Sequence, residues 1–307
     1  MMARCARLLG CVLLLCGCTG TRGAGPGVAA PTPRGPDEFE RMAAAVPPGA
    51  DVVLALDLVR LSARLGDGIE LARGLAGAGG EAALPSLRWV TVAVWGAGAL
   101  DARVLTIGLA RPDERAGLTV LDAASGLVAS GPPELVAAAQ ARVAEATSIR
   151  ERAAARWGEA RFDPAGLSPR ETPALRLVLA ATPLVIARLT PLLGPEASEL
   201  RALRAELHLG DGEGLSLRTS LRAGDEGGAE ALAERVRGAR AALLARGSVA
   251  RLGLDRFVAA LAVDADGPRA RVAYGLSSGE LDALRERLRI LGEVLRQLRA
   301  RAAEAGS

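Results

Sequence analysis

The chain has 307 residues with 38 basic and 35 acidic side chains, long enough for two cores and too evenly charged, with 2% aromatics, for a nucleic-acid binder. It contains no lysine and one histidine, His208, which removes P-loops, Schiff bases and Ser–Lys dyads and leaves little for zinc sites or histidine relays. All four cysteines, Cys5, Cys11, Cys16 and Cys18, sit at the N-terminus, so the body of the chain must hold itself together without disulfides.

Taken from its start, the chain sets Arg4 and Arg7 before an apolar run from Leu8 to Leu15. That is the plan of a secretory signal, too short to cross a bilayer as a mature helix. The run ends Leu15-Cys16-Gly17-Cys18, with Leu at −3 and a small Gly at −1. This stretch resembles the lipobox of bacterial lipoproteins. The resemblance implies cleavage between Gly17 and Cys18 and lipidation of the Cys18 thiol. The chemistry suits the residues: a small side chain fits a narrow protease subsite, and a thiol forms the thioether to diacylglycerol. Three acyl chains, at about 0.8 kcal/mol per buried methylene, would hold the chain to a membrane almost irreversibly. Cys16 fits less well, because Leu15 would then stand at −1. An ordinary cleaved signal is the competing reading. Thr19 follows Cys18 where an Asp would resemble the inner-membrane retention rule, which favours an outer membrane facing the periplasm. Losing residues 1–17 also removes Arg4 and Arg7, bringing the mature charge close to zero. No later apolar run approaches the ~20 residues of a spanning helix.

The predicted organisation is a signal over 1–17, a flexible tether over 18–36, a first α+β unit over 37–147, a linker over 148–173 and a second α+β unit over 174–307. Thr19 to Pro36 is too poor in large apolar residues to bury a core. Asp37 to Val46 is a short helix stopped by Pro47-Pro48. Asp51 to Leu58 is a strand whose near-continuous apolar run predicts burial on both faces. Arg60 to Ala76 has helical spacing. Leu87 to Trp95 and Ala102 to Ala110 form a hairpin, Leu118 to Asp122 and Leu127 to Ser130 a second, and Pro132-Pro133 opens a helix through Ala146.

The second half repeats this order of elements. Ala174 to Ala181 is a strand and Pro183 to Leu193 a helix. Leu200 to Leu209 and Leu215 to Leu221 form a hairpin, and Gly228 to Arg246 a helix. Phe257 to Val263 and Arg269 to Leu276 form another hairpin, and Glu280 to about Ala303 is the closing helix. The fold class is therefore α+β: two similar units, each a mainly antiparallel sheet covered on one face by helices. Leu203, Ala205, Leu207 and Leu209 alternate with Arg204, Glu206 and His208, which reads as an apolar face on helices and a polar face toward solvent or a partner. The stretch Pro47 to Leu58 is similar to an uncharacterised class of bacterial lipoproteins and tethered exoplasmic domains. That resemblance implies a duplicated α+β domain and carries over no catalytic residues.

Four stretches invite a chemical reading. Gly275-Leu276-Ser277-Ser278-Gly279 satisfies G-x-S-x-G between a strand and a helix, but no histidine follows the serine. Ser277 and Glu280 fit a capping box, in which each side chain satisfies a free amide at the helix start. Asp264-Ala265-Asp266-Gly267 opens like a calcium loop but runs straight into a strand, so a hairpin turn is the better reading, as for Asp211-Gly212-Glu213-Gly214. His208 reads as a surface residue, since one imidazole lacks partners. Leu281, Leu284, Leu288, Leu291, Leu295 and Leu298 form a stripe expected to pack on the chain's own sheet rather than in a coiled coil. No catalytic residue, metal or cofactor is expected. The partners expected are the membrane, through Cys18, and an envelope protein, with the chain itself a monomer. The function expected is a non-enzymatic binding or scaffolding module in the cell envelope. A carrier of an apolar ligand such as an acyl chain is the first alternative, and a hydrolase the second.

Overall fold

The computed structural model describes residues 38–65, 87–97, 99, 101–145, 148–149, 152–153, 173–210, 214–251, 253–280, 282–283 and 286. Cys18, Asp211 and the leucine stripe from Leu281 onward lie outside them, as does residue 66 to 76 of the helix expected to reach Ala76.

The strands are β1 (Val52–Asp57), β2 (Trp89–Trp95), β3 (Arg103–Leu109), β4 (Thr119–Asp122), β5 (Leu127–Ser130), β6 (Leu175–Ala180), β7 (Leu200–Gly210), β8 (Gly214–Ala223), β9 (Ala262–Asp266) and β10 (Arg269–Leu276). They form one ten-stranded sheet in the order β4-β5-β3-β2-β1-β6-β7-β8-β10-β9, antiparallel at every pairing. The expected pair of sheets is therefore a single sheet. Strand β1 explains the join: Val52 to Leu56 is apolar on both faces and the strand is buried from Val53 onward, so it is no edge strand. It pairs with β2 on one side and with β6 on the other, Leu54 opposite both Val92 and Leu177.

The helices are α1 (Glu38–Ala45), α2 (Leu58–Leu65), α3 (Pro133–Val143), α4 (Pro183–Leu193), α5 (Glu226–Leu244), α6 (Gly247–Arg251) and α7 (Asp255–Ala259). A further helix begins at 278. Three of these starts are fixed by capping side chains. Asp57 caps α2, accepting from Arg60 N at 3.1 Å; Thr182 caps α4 ahead of Pro183; Asp225 caps α5, accepting from Gly228 N at 2.8 Å. Phe257, expected at the start of a strand, lies in α7 instead, and β9 begins only at Ala262. The local i→i−3 and i→i−4 bonds of Phe257 and Val258 to Leu254 O outweighed β propensity there.

Two hydrophobic cores lie on opposite faces of the sheet. One gathers Leu54, Leu56, Val92, Leu177, Leu203, Leu207 and Leu217 with Leu61 of α2, Leu189 of α4 and Leu232 of α5. The other sets Val53, Ala55, Ala93, Leu105 and Ile107 against Phe39 and Met42 of α1 and Leu135 and Ala139 of α3. Phe39 meets Trp89 edge to face, with centroids 5.4 Å apart. Strands β1 to β3 are thus covered on both faces, not one. The second core ends at β6 with Val178; beyond it that face turns polar.

Candidate functional site

On the face that carries the second core, strands β6, β7 and β8 present charge. Antiparallel register places Arg176 (β6), Glu206 (β7) and Arg218 (β8) in one row across three strands. Arg204 pairs with Ser220 in the next row on one side, and His208 with Ser216 in the next row on the other. Because side chains alternate, all of these residues share a face. The sequence reading turned this face toward solvent or a partner and made His208 a surface residue. Instead Arg204 is 8%, Glu206 3% and His208 3% exposed, so His208 is not a surface residue. Alternation records which residues share a face; it does not record what packs over that face.

Glu206 organises the group. Its Oε1 accepts from Arg176 Nε at 2.8 Å and from Arg204 Nη2 at 2.6 Å. Its Oε2 faces His208 Nε2 at 3.4 Å, an electrostatic contact too loose for a full hydrogen bond. Burial alone would raise the Glu206 carboxyl. The facing His208 imidazole and the charges of Arg176 and Arg204 outweigh it and hold the carboxyl far below the usual carboxylate range. Burial lowers Arg204, and Glu206 offsets part of that loss. Burial also lowers Arg218, again against the attraction of Glu206. Arg176 is further steadied by Phe39 of α1, whose ring centroid lies 5.9 Å from its guanidinium carbon. The aliphatic stems of these arginines can lie on the sheet while the heads converge on one carboxylate.

The residues singled out from sequence are not part of this group. Ser277 N donates to Glu280 Oε2 at 2.9 Å, and Glu280 N donates to Ser277 Oγ at 3.3 Å. Ser277 Oγ also donates to Glu280 Oε2 at 2.6 Å. Both side chains are thus engaged at the start of the helix that begins at 278, and the Ser277 hydroxyl is bonded to a carboxylate rather than to His208. These bonds hold the Glu280 carboxyl below its ordinary range. Ser277→Ala should therefore lower stability by about 0.5–2 kcal/mol. Glu280→Ala should act in the same direction and less strongly. Denaturant melts check both; labelling of Ser277 by a fluorophosphonate probe would instead mark a nucleophile.

Asp264 and Asp266 lie on β9 and Gly267 turns the chain into β10, with Arg271 Nη2 bonded to Asp266 Oδ2. No group of three or more potential metal ligands occurs among the described residues. Cys18 and Gly17 lie outside them.

No family model matches the chain, and no curated protein matches it. One solved structure, titled "Structure of crystal form I of TP0453", aligns over 80% of this chain and 95% of that one, at 13% identity and a TM-score of 0.38.

Proposed function

We propose that the chain is a lipid-anchored cell-envelope protein that works by binding rather than by catalysis. The observation that carries the anchor is Leu15-Cys16-Gly17-Cys18 at the end of a short apolar run behind Arg4 and Arg7. On this reading Cys18 carries the lipid, residues 19–36 form the tether, and the folded body stands in the periplasm at the outer membrane. No helix among the described residues is long and apolar enough to cross a membrane. The binding reading is supported by how the reactive side chains are spent: Ser277 on its capping carboxylate, and His208 buried beside Glu206.

The order of elements supports a body built from two repeated units. Each half runs strand, helix, hairpin, hairpin, with α5 to α7 inserted between the hairpins of the second, and the sheet order reads outward from the β1–β6 pair in the same sequence on both sides. A two-fold axis normal to the sheet between β1 and β6 would reverse strand direction and keep the faces, as the antiparallel β1–β6 pairing requires. It would also place α2 and α4, which follow β1 and β6, on one face. Leu61 of α2 and Leu189 of α4 do share one core.

Cell fractionation tests the anchor. Cys18→Ser should release the mature chain from the membrane fraction or leave an uncleaved precursor. A variant that is processed and still sediments with membranes would refute the lipid-anchor reading.

A further inference from the structure

We propose that the polar face of β7 and β8 binds a phosphate group, inorganic or as a monoester, between Arg218 and His208. The proposal rests on the reading of the chain as a binding module and names the chemistry of its ligand. Oε1 of Glu206 already accepts from Arg176 and Arg204, and Oε2 stands 3.4 Å from His208 Nε2. Arg218 stands directly opposite Glu206 in the β7–β8 register yet makes no hydrogen bond or ion pair among the described residues. It is a half-buried cation drawn toward a carboxylate that others have claimed.

His208 supplies a second, independent observation. Its side chain is buried, and neither Nδ1 nor Nε2 has a hydrogen-bond partner, Nε2 having only its 3.4 Å contact with Glu206. A buried imidazole nitrogen left unpaired is costly, and an incoming polar group would remove that cost.

The two groups lie on one face as diagonal neighbours, Glu206 opposite Arg218 and His208 opposite Ser216. The Cα atoms of such neighbours are about 7–8 Å apart, a separation that the flexible Arg218 side chain and one tetrahedral oxyanion can span. In the neutral tautomer that turns Nε2–H toward Glu206, Nδ1 is an acceptor. A hydrogen phosphate offers both halves of the match, a P–O⁻ for the Arg218 guanidinium and a P–OH for Nδ1. A simple carboxylate offers only the first. Arg218 and Ser216 are partly exposed while His208 is buried, which sets the approach from solvent past Arg218.

The chain has one histidine, so labelling histidine with ¹⁵N gives a single imidazole reporter in the full-length protein. Inorganic phosphate, titrated at fixed pH and ionic strength, should shift the His208 ring signals saturably, while sodium chloride and acetate should not. Arg218→Gln should weaken the phosphate response about tenfold or more. It should leave the ligand-free His208 signals in place, which shows that the sheet is intact. Arg222→Gln, an exposed arginine on the same strand, is the control and should change nothing. A second arm uses micelles carrying phosphatidic acid against phosphatidylcholine micelles. Saturation by free phosphate identifies a soluble ligand, and saturation by phosphatidic acid alone identifies a lipid headgroup. The proposal is overturned if neither form saturates, if chloride matches phosphate, or if Arg218→Gln binds like the parent. Those outcomes leave the anchor untouched, since Cys18→Ser tests it separately.

Discussion

Glutamine in place of Glu206 should destabilise the protein by about 3–5 kcal/mol at neutral pH, because it strips the charge from a buried ion pair and leaves its partners behind. Arg176 Nε and Arg204 Nη2 both bond Glu206 Oε1, and the Glu206 side chain is only 4% exposed. An amide oxygen can still accept both bonds, but a neutral amide cannot offset two desolvated guanidinium charges. The same physics predicts that a combined Arg176→Met, Arg204→Met, Glu206→Leu variant recovers much of the loss, since a well-packed apolar trio pays no desolvation penalty.

The pH dependence follows with its sign. The folded-state carboxyl of Glu206 is lowered from 4.5, so its stabilisation is fully present above that value and is lost as pH falls below it toward the depressed folded value. Acid titration of the parent should therefore show a component of stability disappearing below about pH 4.5 that is absent in Glu206→Gln. Denaturant melts across the acid range measure both. Equal acid sensitivity in parent and variant would mean that the carboxylate is not the group that titrates.

Alanine at Gly214 should cost about 3 kcal/mol or more, the sum of a left-handed backbone and a forced displacement. Gly214 opens β8 with φ +100°, and a Cβ there would lie 1.8 Å from Leu276 O and 2.7 Å from the Ser277 carbonyl carbon. Both neighbours are backbone, so relief requires parting the ends of β8 and β10, where Leu215 pairs with Leu276. Gly238 supplies the contrast. It lies inside α5 with nothing within 4 Å of a built Cβ, so alanine there should stabilise by about 0.5–1 kcal/mol. Chemical denaturation of the two variants side by side separates close approach from helix propensity.

What could be read from the residues followed local physics. Helix α4 begins where Thr182 and Pro183 say it should, and β10 spans Arg269–Leu276, the bounds expected of that hairpin arm. The apolar β1 run announced burial on both faces, which in turn makes a central strand. Two things were not legible. The joining of β1 to β6 is a pairing between segments more than a hundred residues apart, and no local pattern specifies it. The burial of Arg204, Glu206 and His208 was equally hidden, since a buried polar row and a solvated one alternate identically along a strand. A signal was nonetheless present: Arg176 stands between Leu175 and Leu177 on one strand, and Arg204, Glu206 and His208 sit between leucines and alanine on the next. Opposite charges facing each other across paired strands are what a buried polar row requires.

The account turns on Cys18, and intact mass spectrometry of the chain purified from membranes tests it most directly. It predicts a mature species beginning at Cys18 and heavier than its peptide mass by a diacylglyceryl group and an acyl chain, with the modification mapped to that residue. A mature N-terminus elsewhere, or an unmodified Cys18 on membrane-associated protein, would contradict it.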